Sequence, residues 1–168
     1  MQVYIAAPFF NQGQLECVKV IEQLLDDSGI SYFSPRAEGV LTQMTEAERV
    51  ENMKAIFNSN IKNIKECPVM IAVTEGESGA RDTGTVFEVG YASCLRDFEI
   101  MEYGKTPKTV ITFCRAKGKS SVMLSETADA HIDGFITLKA FLKHAAIRGF
   151  PSAIRIANSY QEKTGNVE

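Results

Sequence analysis

The 168-residue sequence has no run approaching the roughly 20 apolar residues a membrane span needs. It also lacks a basic region ahead of an apolar stretch, so the expectation is a cytoplasmic chain with no signal peptide. No excess of positive charge is present. The net charge of -3 gives no field for gripping phosphate backbones, which argues against nucleic acid as a partner. Cysteine is sparse: Cys17, Cys67, Cys94 and Cys114 lie far apart and form no C-x-x-C. They read as reduced packing residues, with Cys17 and Cys94 on apolar helix faces and Cys67 and Cys114 at strand ends. Histidine occurs only as His131 and His144, neither with ligand spacing in the chain, so no metal is expected. Both read as surface or structural residues. Gly76, Gly79 and Gly84 match neither G-x-G-x-x-G nor the Walker A pattern, so no triphosphate loop is read. They fit a tight turn and close approach of backbone to a ligand. No serine or cysteine has the context of a nucleophile elbow, and no internal repeat or low-complexity segment is present.

What is present is the composition of one globular domain, 45% hydrophobic and 23% charged. It is read as residues 1–160, followed by a polar tail at 161–168. Val3–Ala7, Val69–Val73 and Thr109–Phe113 are apolar throughout and read as buried strands. Ile30–Ser34 and Gly134–Thr137 read as two shorter ones. Between them, helical spacing covers Gln14–Ser28, a long segment from the Thr45/Glu48 capping box to about Lys65, Thr85–Leu95, Ser120–Ala130 and Leu138–Ala146. Apolar strands alternating with helices predict an α/β fold: a flavodoxin-like doubly wound domain, its five-stranded, mostly parallel sheet covered on both faces. Ligands of such sheets bind beyond the carboxyl ends of the strands. The loops after the first strand and after Val73 both fall on that edge.

The segment Asp82-Thr83-Gly84-Thr85-Val86-Phe87-Glu88-Val89-Gly90-Tyr91-Ala92 stands out. Its Glu88 is a lone carboxylate among apolar residues, costly to desolvate unless it is partnered or catalytic. Each residue also has a plainer reading. Asp82 alone is a helix N-cap. Glu88 alone is a helix residue with a salt-bridge partner. Tyr4 alone is core, although its buried hydroxyl needs a partner and a carboxylate at the upper sheet edge would serve. Phe9 and Phe10 either pack under a loop or stack on a planar base. Arg36 and Glu38 read as solvated loop charges, with ligand contact as the minority alternative. Asn58, Asn60 and Asn63 read as solvent-facing positions of the long helix, but Asn60 could face the sheet edge. Met123 and Leu124 read as core.

Taken together these residues resemble the nucleoside 2-deoxyribosyltransferase family, from Val3 to about Phe141. The most specific part is Asp82-x-Gly84-Thr85-x-x-Glu88-x-Gly90-Tyr91-Ala92. Tyr4-Ile5-Ala6-Ala7-Pro8-Phe9-Phe10, Ser34-Pro35-Arg36, Asn60-Ile61-x-x-Ile64 and Val69-Met70-Ile71-Ala72-Val73 support it. The resemblance implies that Glu88 is the nucleophile, attacking the anomeric carbon of a 2-deoxynucleoside and holding the sugar as an ester. A free nucleobase then accepts the sugar, and two displacements retain the β configuration. It implies that Tyr4 holds Glu88 in register and that Asp82 protonates or hydrogen-bonds the base. Pro8, Phe9, Phe10, Arg36, Asn60, Gly84 and Met123 are the substrate contacts expected on the same ground. One branch of the family has aspartate where this chain has Asn60, and an amide is no proton donor of that kind. Other branches carry asparagine. Some members insert an Asn-x-Met segment into a neighbouring subunit's site. The matching stretch here is Val122-Met123-Leu124, without the asparagine. The resemblance implies a homo-oligomer with shared sites and no cofactor. Two alternatives stand beside the transferase. One is a nucleoside 5′-monophosphate N-glycosidase, which would need an anion site drawn from Arg36, Arg81, Ser120 and Ser121. The other is a nucleoside-sensing module without chemistry.

Overall fold

In the computed structural model, strands and helices alternate along the chain as far as its last two helices, which follow one another directly. The structure describes residues 2–37, 45–74, 82–116 and 121–164. The strands are β1 (Gln2–Ala6), β2 (Ser31–Phe33), β3 (Val69–Val73), β4 (Thr109–Cys114) and β5 (Ala130–Asp133). The helices are α1 (Gln12–Asp27), α2 (Glu46–Glu66), α3 (Thr83–Tyr103), α4 (Val122–Thr127), α5 (Phe135–Arg148) and α6 (Phe150–Thr164). The strand order is β2-β1-β3-β4-β5, and all four pairings are parallel. This is the flavodoxin-like doubly wound order.

The period-two alternation of the strands divides the core into two halves. Val3, Ile5, Ile71, Ile111, Phe113 and Ile132 face α1, α5 and α6. Tyr4, Ala6, Met70, Ala72 and Val110 face the other way, against Ile64 of α2, Val89 and Ala92 of α3, and Leu124 of α4. Burying both faces is what makes these strands apolar without interruption. Each fully buried aliphatic side chain contributes roughly 1.5–3 kcal/mol relative to exposure. The alternation also sets the direction of Tyr4, which projects toward α2 and α3.

The Thr45/Glu48 capping box forms: Thr45 N donates to Glu48 Oε2 at 2.7 Å, and Glu48 N donates to Thr45 Oγ1 at 3.3 Å. Several expected boundaries shift. The expected strand at Gly134–Thr137 is not formed; β5 lies at Ala130–Asp133, and Gly134, at φ +80°, turns the chain into α5. The helix expected over Ser120–Ala130 shrinks to Val122–Thr127, because Asp129 turns back to bond the amide of Val110 and Ala130 enters the sheet. α3 runs eight residues beyond Leu95 to the left-handed Gly104. Its mixed tail of Phe98, Glu99, Ile100, Met101 and Glu102 is largely exposed and carries no clean apolar stripe. α6 continues through Thr164, four residues into the expected polar tail. None of the four cysteines is in a disulfide. Cys17, Cys67 and Cys114 are buried, but Cys94 is exposed, because it falls on the solvent side of α3.

Two features of this frame give testable stability effects. Lys108, at the start of β4, sends its ammonium to the carbonyls of Ile64, Lys65 and Cys67 at the end of α2. Burial pushes its pKa down, but the three acceptors occupy its three donors. Lys108→Met should cost about 2 kcal/mol in chemical denaturation, since it strands helix-end carbonyls that the ammonium now satisfies. Gly90, by contrast, lies exposed within α3, and a Cβ there would meet nothing within 4 Å. Gly90→Ala should therefore stabilise the chain by about 0.5–1 kcal/mol, read as a rise in Tm. A fall in Tm would mean that another surface occupies that space in solution.

Candidate active site

The site begins with the hydroxyl of Tyr4. The side chain is wholly buried on β1 and its ring stacks on Phe33 of β2, centroids 5.7 Å apart and planes 15° from parallel. The hydroxyl donates to Glu88 Oε1 at 2.6 Å, joining residues 84 positions apart. Glu88 lies in the second turn of α3 and is half-buried. Burial raises its pKa to about 7, against the Tyr4 hydrogen bond, which lowers it; nearby Asp82 adds a further upward push. The Tyr4 hydroxyl is itself pushed far above its ordinary range, by burial first and by Glu88 second. Tyr4 therefore remains a donor at every working pH, and Glu88 exchanges its proton near neutrality.

Asp82 is the N-cap of α3. Its Oδ2 accepts from Thr85 N at 2.6 Å and from Thr85 Oγ1 at 2.9 Å. The plain reading of Asp82 as a cap is thus correct, and it is compatible with a second role because both bonds fall on one oxygen. Gly84 leaves room for this arrangement: a Cβ there would sit 3.1 Å from Asp82 Oδ2. The loop after β1 holds Pro8 buried, Phe9 half-buried and Phe10 68% exposed, with the two rings stacked 5.4 Å apart. Phe10 N donates to Gln14 Oε1 at 2.9 Å, which ties the loop to α1.

The remaining expected residues are placed differently. Arg36 pairs in two-pronged fashion with Glu22 of α1, a residue only 6% exposed. It is neither a solvated loop charge nor a free cation at the edge of the site, because a buried carboxylate on the opposite face of the sheet claims it. Glu38 lies outside the described residues, as do Gly76, Gly79, Arg81 and Ser120. Asn60 is half-buried on α2, while Asn63 turns its amide to the Ser59 carbonyl of its own helix. Leu124 is core as expected, but Met123 is 73% exposed, because the short α4 buries one side only. Sequence reasoning did not single out Phe33 or Thr85 individually. The signal for Thr85 was its position three residues after Asp82, where a cap finds its amide.

A doubly wound parallel sheet, with a tyrosine-held carboxylate and a capping aspartate on the helix after β3, defines an α/β protein of the flavodoxin-like class. The family model described as nucleoside 2-deoxyribosyltransferase matches residues 3–134. The chain belongs to that family. Its structure is similar to that of the 2-deoxyribosyltransferase of the psychrotolerant bacterium Bacillus psychrosaccharolyticus, with 26% identity and a TM-score of 0.64 over 84% of this chain and 96% of that one. A conserved protein of Enterococcus faecalis V583 shares the fold at 16% identity and a TM-score of 0.51, over 85% of this chain and 86% of that one. Among curated proteins, none matches the sequence. No helix among the described residues is long and apolar enough to cross a membrane.

Proposed function

We propose that the protein transfers the 2-deoxyribosyl group between nucleobases through a covalent ester on Glu88. The observation that carries this reading is the Tyr4–Glu88 hydrogen bond, which holds one carboxylate oxygen by its partner and leaves the other to attack. Glu88 Oε2 bonds to the anomeric carbon as the bond from that carbon to the base nitrogen breaks, and the electron pair goes to the base. Asp82 hydrogen-bonds or protonates a ring nitrogen, so that the base departs as a neutral heterocycle. The incoming base then attacks the same carbon, releases Glu88 as carboxylate and restores the β configuration. A carboxylate fixed beneath an oxocarbenium-like carbon is stabilising because its position is set before the charge develops. Phe9 and Phe10 supply aromatic surface beside the base, and Asn60 a polar contact from α2.

The transferase is favoured over the monophosphate N-glycosidase because Arg36, one of the four candidates for its anion site, is already neutralised by Glu22. Exposed apolar side chains on α2, α3 and α4, among them Met53, Phe57, Phe87 and Met123, support a homo-oligomer in which subunits cover one another.

The test is chromatography of a 2-deoxynucleoside incubated with the protein, with and without a second free base. The deoxynucleoside 5′-monophosphate runs in parallel and Glu88→Ala serves as control. A new nucleoside formed only with acceptor base, and absent with the variant, is the expected outcome. Sugar phosphate and base released from the monophosphate regardless of acceptor would replace this reading with hydrolysis. No turnover of either would leave a sensor.

A further inference from the structure

At the carboxyl ends of β4 and β5 the parallel register aligns Thr112 with His131 and Cys114 with Asp133. Residues two apart on a strand share a face, so these four side chains form a square on one side of the sheet. Thr112 Oγ1 lies 2.9 Å from His131 Nδ1, which orients the ring and leaves Nε2 turned toward Asp133. His131 Nε2 is 3.2 Å from Asp133 Oδ1, yet the two are not aligned as donor and acceptor, and that buried oxygen has no hydrogen-bond partner among the described residues. Cys114 Sγ completes a triangle of sulfur, nitrogen and oxygen whose atoms all lie within 4.8 Å of one another.

We propose that Cys114, His131 and Asp133 form a binding site for a divalent transition metal of the zinc type. A tetrahedral ion with bonds of about 2.0–2.3 Å sets its ligands roughly 3.3–3.6 Å apart, and the nitrogen–oxygen edge already has nearly that length. Thiolate, imidazole and carboxylate together select such a metal over magnesium or calcium. The metal gives Asp133 Oδ1 the partner it lacks. Thr112 on the imidazole, and Thr74 Oγ1 at 3.4 Å from Cys114 Sγ, are the outer contacts that ligands of a metal require. Three protein ligands leave a fourth position for water or an incoming donor. His131 and Asp133 also border a cavity of about 410 Å³ together with Thr137, His144, Ile156 and Tyr160. On binding, the Cys114 thiol gives its proton to solvent as the sulfur–metal bond forms, so affinity rises with pH. The spacing of Cys114 and His131 along the chain conceals it, because the sheet, not the chain, brings them together.

The experiment is Co²⁺ titration of the full-length chelator-treated protein carrying Cys94→Ser, which removes the exposed thiol. The expected result is one Co²⁺ per chain with a thiolate-to-cobalt charge-transfer band, displaced by Zn²⁺. Cys114→Ser should abolish the band. Asp133→Asn, a milder change at a half-exposed residue, should weaken binding about 10–100-fold while circular dichroism is retained. No charge-transfer band, or a band whose titration Asp133→Asn leaves unchanged, would overturn the proposal.

Discussion

Glu88→Gln should reduce deoxyribosyl transfer by roughly ten-thousandfold or more and, above neutral pH, make the protein more stable. The first effect follows from removing the nucleophile while keeping its shape, since losses of that order accompany deletion of an attacking group. The second follows from linkage. The folded-state pKa of Glu88, about 7, lies above the ordinary value of 4.5, so the folded state holds the proton more tightly than the unfolded chain does. The native state is therefore favoured most below pH 4.5, and that advantage is lost as pH rises through 7. The shift corresponds to about 3 kcal/mol. Glutamine accepts the Tyr4 hydrogen bond and carries no charge to desolvate. Urea denaturation at pH 4 and pH 8 reads the difference: wild type and variant should agree within error at pH 4, with the variant ahead at pH 8. Equal stabilities at both values would mean that Glu88 is solvated as an ordinary carboxylate.

Tyr4→Phe should lower kcat/KM about 10–100-fold at pH 7 and move its pH dependence to higher values. In the wild type, kcat/KM should rise with pH and level off above about 7, as Glu88 becomes the carboxylate that attacks. The Tyr4 hydrogen bond favours that ionised form, and hydrogen bonds to charged groups contribute about 1.5–3 kcal/mol. Without it burial acts unopposed, the Glu88 pKa climbs further, and the ionised fraction at neutral pH falls. Raising the pH should restore part of the lost activity. An unchanged rate and profile would assign Tyr4 to packing alone, through the ring contact with Phe33 that phenylalanine retains.

Much of this architecture was legible in the chain. Val69–Val73 is predicted to the residue, because a strand buried on both faces has no polar position to blur its ends. The Tyr4, Asp82 and Glu88 cluster was legible through the fold: each lies on an element whose end meets the same sheet edge. Other features depend on partners that a linear sequence does not display. Arg36 is captured by Glu22, fourteen residues earlier on a separate element. The end of α3 is set by Gly104, not by the fading of its apolar stripe. β5 alternates Ala130 and Ile132 with His131 and Asp133, an ambiguous pattern in four residues, and only its pairing with β4 makes it a strand.

The register of β1 has a consequence for how this chain could misfold. β1 is paired on both sides, with Val3 opposite both Tyr32 and Val69, and Tyr4 opposite both Phe33 and Met70. Sliding it by a single position would exchange its two faces, sending Tyr4 into the α1, α5 and α6 half of the core and presenting Val3 or Ile5 to Glu88. Such a misthreaded chain would keep most of its backbone ladder and its far-ultraviolet spectrum, yet have no phenol against its carboxylate. Inactive but well-folded preparations should therefore be looked for as a distinct population, separable by the environment of that one tyrosine and invisible to any measure of secondary structure.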